Sequence, residues 1–275
     1  MKLCIRAHDL GANSVDTILN RLEELGADSA QLVCYKVLED IPYVPGAITE
    51  EKAEAIGKAF AARGKGIDLV GAYFNPVHSD KEKTERCMAV FADYLRLCKT
   101  MGCQCVGSET GSFNDDSWSY NPQNRTQEGL EASAANFKRL REIADECGST
   151  LAMEGAAGHV CYNVATLQKA RQMVGGKTKV VFDLVNFLDA DTQDYMPILE
   201  EGLETFGEDI LMFHVKDCKL LPGQRPRIVP FGTGDVDWKA CFAKIKAKLP
   251  NAVLTLEETA NPYLDAAVKH LREIW

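Results

Sequence analysis

Four short apolar segments in the second half of the chain read STLAMEG (149–155), KVVFDLV (179–185), DILMFHVKD (209–217) and AVLTLEE (252–258). Each is rich in Val, Leu, Ile or Phe and has the length of a buried strand. Longer segments, in which apolar residues recur with helical spacing, separate them. Strands that alternate with helices in this way predict a parallel sheet.

The same alternation runs through the first half of the chain. Strands are predicted over residues 3–8, 29–35, 67–74 and 103–109. Ser14 and Thr49 precede helical patterns and are typical helix caps. Eight strand–helix units in 275 residues predict an α/β fold, a (β/α)8 TIM barrel, as a single domain over residues 1–275. The doubly wound alternative lacks a G-x-G-x-x-G motif after the first strand.

Composition and charge limit the partners. The net charge of −9 argues against general nucleic-acid binding, which needs a basic surface for phosphates. The ten cysteines include no C-x-x-C pair, and they suggest a reducing cytoplasm. No apolar run approaches the length of a membrane span, and the N-terminus lacks a signal-peptide pattern. We therefore expect a cytoplasmic protein without nucleic-acid or membrane partners.

Each of the last four predicted strands carries a potential metal ligand at or near its end: Glu154, Asp183, His214 and Glu257. In a barrel these ends converge on one mouth, where such enzymes carry their active sites. A single residue of this kind could equally be a helix-capping group or a partner in a surface ion pair instead of a metal ligand. Three buried carboxylates and one imidazole, however, need a cation to satisfy them. The pattern predicts one divalent metal ion, namely manganese, magnesium, cobalt or zinc.

Several histidines are candidates for contact with a substrate. His8 closes the first predicted strand, His78 follows the third, and His159 lies in the loop after the fifth. All three are expected near the mouth, where an imidazole can bind a sugar hydroxyl or bond within its own loop. Two aromatic residues of the long loop 110–125, Trp118 and Tyr120, are expected to wall off the substrate.

Strand alternation makes two further predictions at the mouth. Lys216 lies two residues beyond His214, so it should face the same side and either polarise a substrate oxygen or pair with Asp183. Glu257 and Glu258 are adjacent, so only Glu257 should face the mouth. Glu258 should then point to the helical layer or the loop edge.

The motifs resemble those of the xylose isomerase-like barrels, a superfamily of sugar phosphate isomerases and epimerases that includes ketose 3-epimerases and inosose dehydratases. The resemblance covers almost the whole chain. It rests on the strands that end in Glu154 and Asp183 and on three motifs, which are N-P-V-H (75–78), H-V-K-D (214–217) and G-T-G-D-V-D-W (232–238).

The resemblance implies roles for individual residues. The four metal ligands of the family correspond to Glu154, Asp183, His214 and Glu257, and the two glutamates correspond to its acid/base pair. Ketose 3-epimerases generally have a histidine three residues after the metal aspartate, where this chain has Asn186. A basic residue after the metal histidine holds substrate in those enzymes, and Arg225 or Arg227 could correspond to it.

The resemblance also implies an activity. We expect a metal-dependent isomerase or epimerase that removes a proton next to a carbonyl and passes through an enediolate. Its substrate would be a small sugar or cyclitol. Because one fold hosts several chemistries, a lyase or dehydratase acting on an inosose or an oxidised glycoside stays open as the alternative. Relatives are often dimers or tetramers, so a homo-oligomer is a further expectation.

Overall fold

The computed structural model describes all residues from 1 to 275. Its ten strands are β1 Lys2–Arg6, β2 Ser29–Leu32, β3 Gly66–Gly71, β4 Cys105–Glu109, β5 Thr150–Glu154, β6 Thr178–Asp183, β7 Ile210–Val215, β8 Asp217–Lys219, β9 Arg227–Val229 and β10 Val253–Leu256. Eight of them form a closed parallel barrel in the order β1-β10-β7-β6-β5-β4-β3-β2. The predicted (β/α)8 TIM barrel is confirmed, and β8 and β9 add a small antiparallel hairpin beside it.

Helices follow the barrel strands. They are α1 Val15–Glu24, α2 Cys34–Val37, α3 Glu50–Ala62, α4 Lys81–Leu97, α5 Gln127–Cys147, α6 Val164–Val174, α7 Tyr195–Phe206, α8 Trp238–Lys248 and α9 Leu264–Ile274. The two predicted caps are confirmed, since the side chain of Ser14 accepts a hydrogen bond from Thr17 N and that of Thr49 accepts one from Lys52 N. None of the helices is both long and apolar enough to cross a membrane.

Several strands end earlier than their apolar patterns predicted. The second ends at Leu32 and turns directly into α2, and the third ends at Gly71 rather than residue 74. The apolar pattern continues because loop residues at the mouth, such as Val33 and Phe74, are buried as well. An apolar residue in the sequence indicates burial, not hydrogen bonding within a sheet. Where buried loop residues follow a strand, the apolar pattern therefore continues past the end of that strand.

The barrel interior is filled below the mouth. Ala152, Val181 and Met212 belong to a small apolar cluster and lie two positions before Glu154, Asp183 and His214 respectively. By strand alternation they face the same side as those residues. This packing closes the lower interior, so polar inward-facing side chains are left at the carboxyl ends of the strands. A much larger apolar core lies between the sheet and the helices.

The glycine-rich turn before α8 supports the loop after β7. The carboxylate of Asp217 accepts hydrogen bonds from Gly232 N at 3.1 Å and Gly234 N at 2.8 Å. A Cβ at Gly234 would lie 1.9 Å from Asp217 Oδ1, so only glycine allows this approach. Asp237 then caps α8 by accepting a hydrogen bond from Ala240 N. The motif is the tight turn into a helix that its sequence indicated.

Candidate metal centre

The four predicted metal ligands converge at the mouth of the barrel. His214 Nδ1 lies 3.2 Å from Glu154 Oε1, 3.3 Å from Glu257 Oε2 and 3.7 Å from Asp183 Oδ2. All four residues are buried. The strands that carry them, β5, β6, β7 and β10, are consecutive neighbours in the barrel, so one imidazole nitrogen faces three carboxylates.

Three of these residues have the geometry of a metal site. Glu154, Asp183 and His214 each offer one ligand atom, and these atoms lie within 4.8 Å of one another. Asp183 Oδ2 is buried, makes no hydrogen bond of good geometry and has the ammonium of Lys216 2.8 Å away. A divalent ion between the three ligand atoms would add positive charge where two buried carboxylates meet. The donor set of two carboxylates and an imidazole therefore fits a divalent ion, and Glu257 as fourth ligand stays a prediction.

A buried glutamine sets the orientation of the imidazole. Gln31, on β2, places its Oε1 2.8 Å from His214 Nε2, and its Nε2 donates to Tyr73 Oη at 2.7 Å. With Nε2–H as donor, Nδ1 is the nitrogen that faces the carboxylates, and it becomes the ligand atom when a metal ion replaces its proton. Histidines that bind metals commonly donate their other ring nitrogen in this way. The sequence analysis did not identify Gln31, although a lone polar residue within SAQLVCY was a usable signal.

The protein supplies its own cations to this cluster. Lys216 Nζ lies 2.8 Å from Asp183 Oδ2 and 2.7 Å from Glu257 Oε1. Arg6 Nη1 lies 3.1 Å from Glu257 Oε2. The premise that the carboxylates could be satisfied only by an external cation was therefore wrong. The predicted pairing of Lys216 with Asp183 is confirmed, whereas Arg6 was missed although it stands in the first predicted strand.

The two glutamates experience opposite electrostatic environments. Burial by itself would raise the pKa of Glu257, but His214, Lys216 and Arg6 together hold it well below its usual value. Burial raises the pKa of Glu154 to about 7, although His214 opposes the shift. In the metal-free protein the surroundings of the two carboxyl groups therefore differ, with two cationic side chains beside Glu257 and an amide beside Glu154.

Asn186 is occupied by the cluster itself. Its backbone N donates to Asp183 Oδ1 at 2.8 Å, and its Nδ2 donates to Glu154 Oε1 at 2.9 Å. Its Oδ1 accepts a hydrogen bond from Lys216 Nζ at 2.7 Å. The side chain therefore bridges a predicted metal ligand and the buried lysine, and it holds the carboxylate of Glu154 in place.

The predicted orientation of Glu258 was wrong. Its φ of +52° puts it in the left-handed region, and its side chain lines the same cavity as Glu257. Arg6 Nη1 lies 3.2 Å from Glu258 Oε1. Strand alternation failed because β10 ends at Leu256, so neither glutamate belongs to the pleated strand. The side chain of Glu258 is 46% exposed, whereas that of Glu257 is buried.

A cavity of about 390 Å³ opens above the cluster. It is lined by Arg6, His8, Tyr35, Lys36, Tyr73, Glu109, Trp118, Glu154, Asn186, Lys216, Glu257 and Glu258. Its volume lies in the range of small-molecule sites. Of the predicted substrate contacts, His8, Asn186 and Lys216 line it. Of the two predicted wall residues, Trp118 lines it and Tyr120 is exposed outside it. Glu109 lines it as well, with a pKa that burial raises to about 7.

Three other predicted contacts do not line this cavity. His78 bonds within its own loop, since Nδ1 accepts a hydrogen bond from Asp80 N and Nε2 lies 3.4 Å from Asp116 Oδ1. His159 is buried behind Trp118, with ring centroids 5.5 Å apart. Arg227 is exposed on β9. Contact of these residues with substrate stays a prediction that the cavity does not support.

Comparison with known proteins places the chain in a family. The model of the xylose isomerase-like TIM barrel family matches residues 19–274. The chain belongs to this family. A search of curated proteins finds no match. The resemblance inferred from the sequence motifs is thereby confirmed at the level of the xylose isomerase-like TIM barrel.

Solved structures share the xylose isomerase-like fold at low sequence identity. The IolI protein with a bound zinc atom is 18% identical, with a TM-score of 0.75 over 100% of this chain and 96% of that chain. Endonuclease IV from Thermus thermophilus is 18% identical, with a TM-score of 0.76 over 100% and 98%. A D-tagatose 3-epimerase-like protein is 15% identical, with a TM-score of 0.77 over 100% and 97%. At these identities the similarity is one of fold.

Proposed function

We propose that this protein is a divalent-metal-dependent isomerase or epimerase of a small sugar or cyclitol, acting by proton removal next to a carbonyl. One observation carries the proposal. The carboxylates of Glu154 and Glu257 flank His214 Nδ1 at 3.2 and 3.3 Å, and both glutamates line the cavity. A substrate above them would therefore meet two carboxyl groups at a centre suited to a metal ion.

Glu154, Asp183, His214 and Glu257 would hold the ion, which would be manganese, magnesium, cobalt or zinc. When bound, a divalent ion there would polarise the substrate carbonyl and favour the negative charge that develops on its oxygen. The zinc atom of the IolI structure supports a metal centre in this fold. The mixed oxygen and nitrogen donors suit any of the four metals.

The protein residues would move the proton. Glu257, which its contacts with Lys216 and Arg6 keep ionised, would take the proton from the carbon next to the carbonyl. Glu154, which Asn186 orients, would return a proton to the neighbouring carbon or to the opposite face. The ammonium of Lys216 would stabilise the enediolate between these steps. His8, on the wall formed after β1, would bind a hydroxyl of the substrate.

A lyase or dehydratase is the second candidate, and Asn186 is the observation that favours it. The amide of Asn186 is committed to Glu154 and Lys216, where ketose 3-epimerases generally have a histidine. Removal of the same proton followed by loss of a neighbouring hydroxyl or glycosyl group would give elimination. An endonuclease, the activity for which one of the similar structures is named, is less well supported, because the net charge is −9 and four of the cavity residues are glutamates.

Exchange in D2O tests the proposal. The protein is loaded with Mn²⁺ and incubated with D-fructose, D-tagatose, a keto-inositol and a 3-keto-glucoside, and products are followed by NMR. Incorporation of deuterium next to a carbonyl together with an isomer or epimer is the expected result. An unsaturated product with loss of water or an alcohol would instead assign the lyase. Absence of exchange with all four compounds would contradict proton abstraction from this substrate class.

A further inference from the structure

We propose that Gln31 is a positioning residue that holds His214 ready for the metal and, through the same amide, directs the hydroxyl of Tyr73 into the substrate cavity. The part concerning the metal needs only the metal centre. The part concerning the substrate rests on the proposed function. Neither Gln31 nor Tyr73 was among the predicted site residues.

The contacts form one chain from the metal centre to the cavity. Gln31 and His214 are both buried, and Gln31 Oε1 lies 2.8 Å from His214 Nε2. The other end of the same amide, Nε2, donates to Tyr73 Oη at 2.7 Å. Tyr73 lines the cavity. β2 and β7 are not neighbours in the barrel, so Gln31 reaches His214 across the interior.

The direction of these hydrogen bonds follows from the chemistry of an amide, which accepts at one end and donates at the other. When the neutral imidazole of the metal-bound form donates from Nε2, its Nδ1 supplies the lone pair that a metal ion requires. Gln31 then donates to Tyr73, so the hydrogen of the Tyr73 hydroxyl is not used on Gln31. The hydroxyl makes no other hydrogen bond in the protein, and it is free to donate to a substrate oxygen.

The opposite direction would disable both ends together. If the amide of Gln31 were reversed, its nitrogen would donate to His214 Nε2, and the proton of the neutral imidazole would sit on Nδ1. That nitrogen could not ligate a metal. Tyr73 would at the same time donate to Gln31 and withdraw its hydrogen from the cavity. One orientation of the Gln31 amide therefore serves both purposes. It leaves His214 Nδ1 available to a metal ion and the Tyr73 hydroxyl available to a substrate.

Three substitutions in the full chain separate the two roles. Gln31→Leu removes both hydrogen bonds, and Gln31→Glu keeps an acceptor for His214 Nε2 but cannot donate to Tyr73. Tyr73→Phe removes only the hydroxyl. The dissociation constant for Mn²⁺ is measured by competition with a chelator, and the protonated nitrogen of His214 is identified by ¹⁵N NMR of the Zn²⁺ form. The melting temperature of each variant reports whether the fold is retained.

We expect Gln31→Leu to weaken Mn²⁺ binding by roughly 10- to 100-fold, the usual effect of removing the outer partner of a ligating histidine. Gln31→Glu and Tyr73→Phe should retain Mn²⁺ affinity. The ¹⁵N spectrum of the wild type should show the proton on Nε2. Wild-type Mn²⁺ affinity in a folded Gln31→Leu variant, or a proton on Nδ1 in the wild-type Zn²⁺ form, would overturn the positioning role.

Titration of the Mn²⁺-loaded proteins with D-fructose and with a keto-inositol tests whether the hydroxyl of Tyr73 binds the substrate. Tyr73→Phe and Gln31→Glu should each weaken binding of these probes about five- to tenfold, the scale of one net hydrogen bond. Unchanged affinity of Tyr73→Phe for a probe that the wild type binds would refute the role of the Tyr73 hydroxyl in substrate binding. If neither probe binds the wild type, the proposed substrate class is wrong, and the Mn²⁺ measurements alone decide the role of Gln31.

Discussion

Lys216 Nζ lies 2.8 Å from Asp183 Oδ2, so a carboxylate with the placement of a metal ligand also has a cation of the protein beside it. The same ammonium lies 2.7 Å from Glu257 Oε1. Burial would lower the pKa of Lys216, but Asp183 and Glu257 raise it above its usual value. The ammonium therefore stays charged and stabilises both acidic groups.

Substitution Lys216→Met should therefore destabilise the metal-free protein. Loss of one partner of a buried ion pair costs about 3–5 kcal/mol, and Mn²⁺ should recover part of this loss by replacing the missing charge. Urea unfolding with EDTA and with Mn²⁺ measures both values. Lys219→Met is the matched control, since Lys219 pairs with Asp235 at the surface and should cost below about 1 kcal/mol. Equal effects of the two substitutions would contradict this role for Lys216.

Substitutions of the predicted ligands should remove the metal while the fold survives. Asp183→Asn and His214→Ala each take away one of the three convergent ligand atoms. We expect both proteins to lose stoichiometric metal in elemental analysis, with far-UV circular dichroism unchanged, because the apolar layers of the barrel lie elsewhere. Asp235→Asn, in the exposed turn before α8, should keep its metal. Wild-type metal content in either ligand variant would show that its residue was wrongly assigned.

The two glutamates should differ from their neighbour in catalysis. Glu154→Gln and Glu257→Gln should each lower turnover by roughly 10²-fold or more, the usual scale for loss of a general acid or base. Glu257→Gln, which lacks the base that removes the proton, should also abolish deuterium exchange in the substrate. Glu258→Gln should cost far less, because Glu258 contacts Arg6 but not His214 and is partly exposed. Inactivity of Glu258→Gln with near-normal Glu257→Gln would move the acid/base role to Glu258.

His159 should contribute to acid sensitivity. Burial lowers the pKa of its imidazole from 6.5 to about 4, and its Nδ1 has no partner. The unfolded chain then binds a proton at a higher pH than the folded one, so stability is lost as the pH falls from about 6.5 towards 4. Across this window the wild type should lose up to about 3 kcal/mol more than His159→Phe in urea unfolding. Parallel stability curves for the two proteins would refute this.

Local patterns in the sequence were sufficient to predict the barrel and to place the four predicted ligands at one mouth. Strand and helix periods are local properties, so the alternation predicted eight units without knowledge of their packing. Because all barrel strands run parallel, strand ends such as those at Glu154 and Asp183 had to meet at one mouth. The choice of His214 followed from the same reasoning, and the structure places it between the carboxylates.

The groups that complete the site could be identified only from the way the barrel closes. Arg6 and Gln31 come from the first two strands, and they reach Glu257 and His214 because the closed barrel brings distant parts of the chain together. Glu258 faces the cavity because the strand ends at Leu256, beyond which alternation no longer fixes direction. Local sequence patterns carry the period of an element, whereas ion pairs and hydrogen bonds across the barrel depend on its closure, which no local pattern contains.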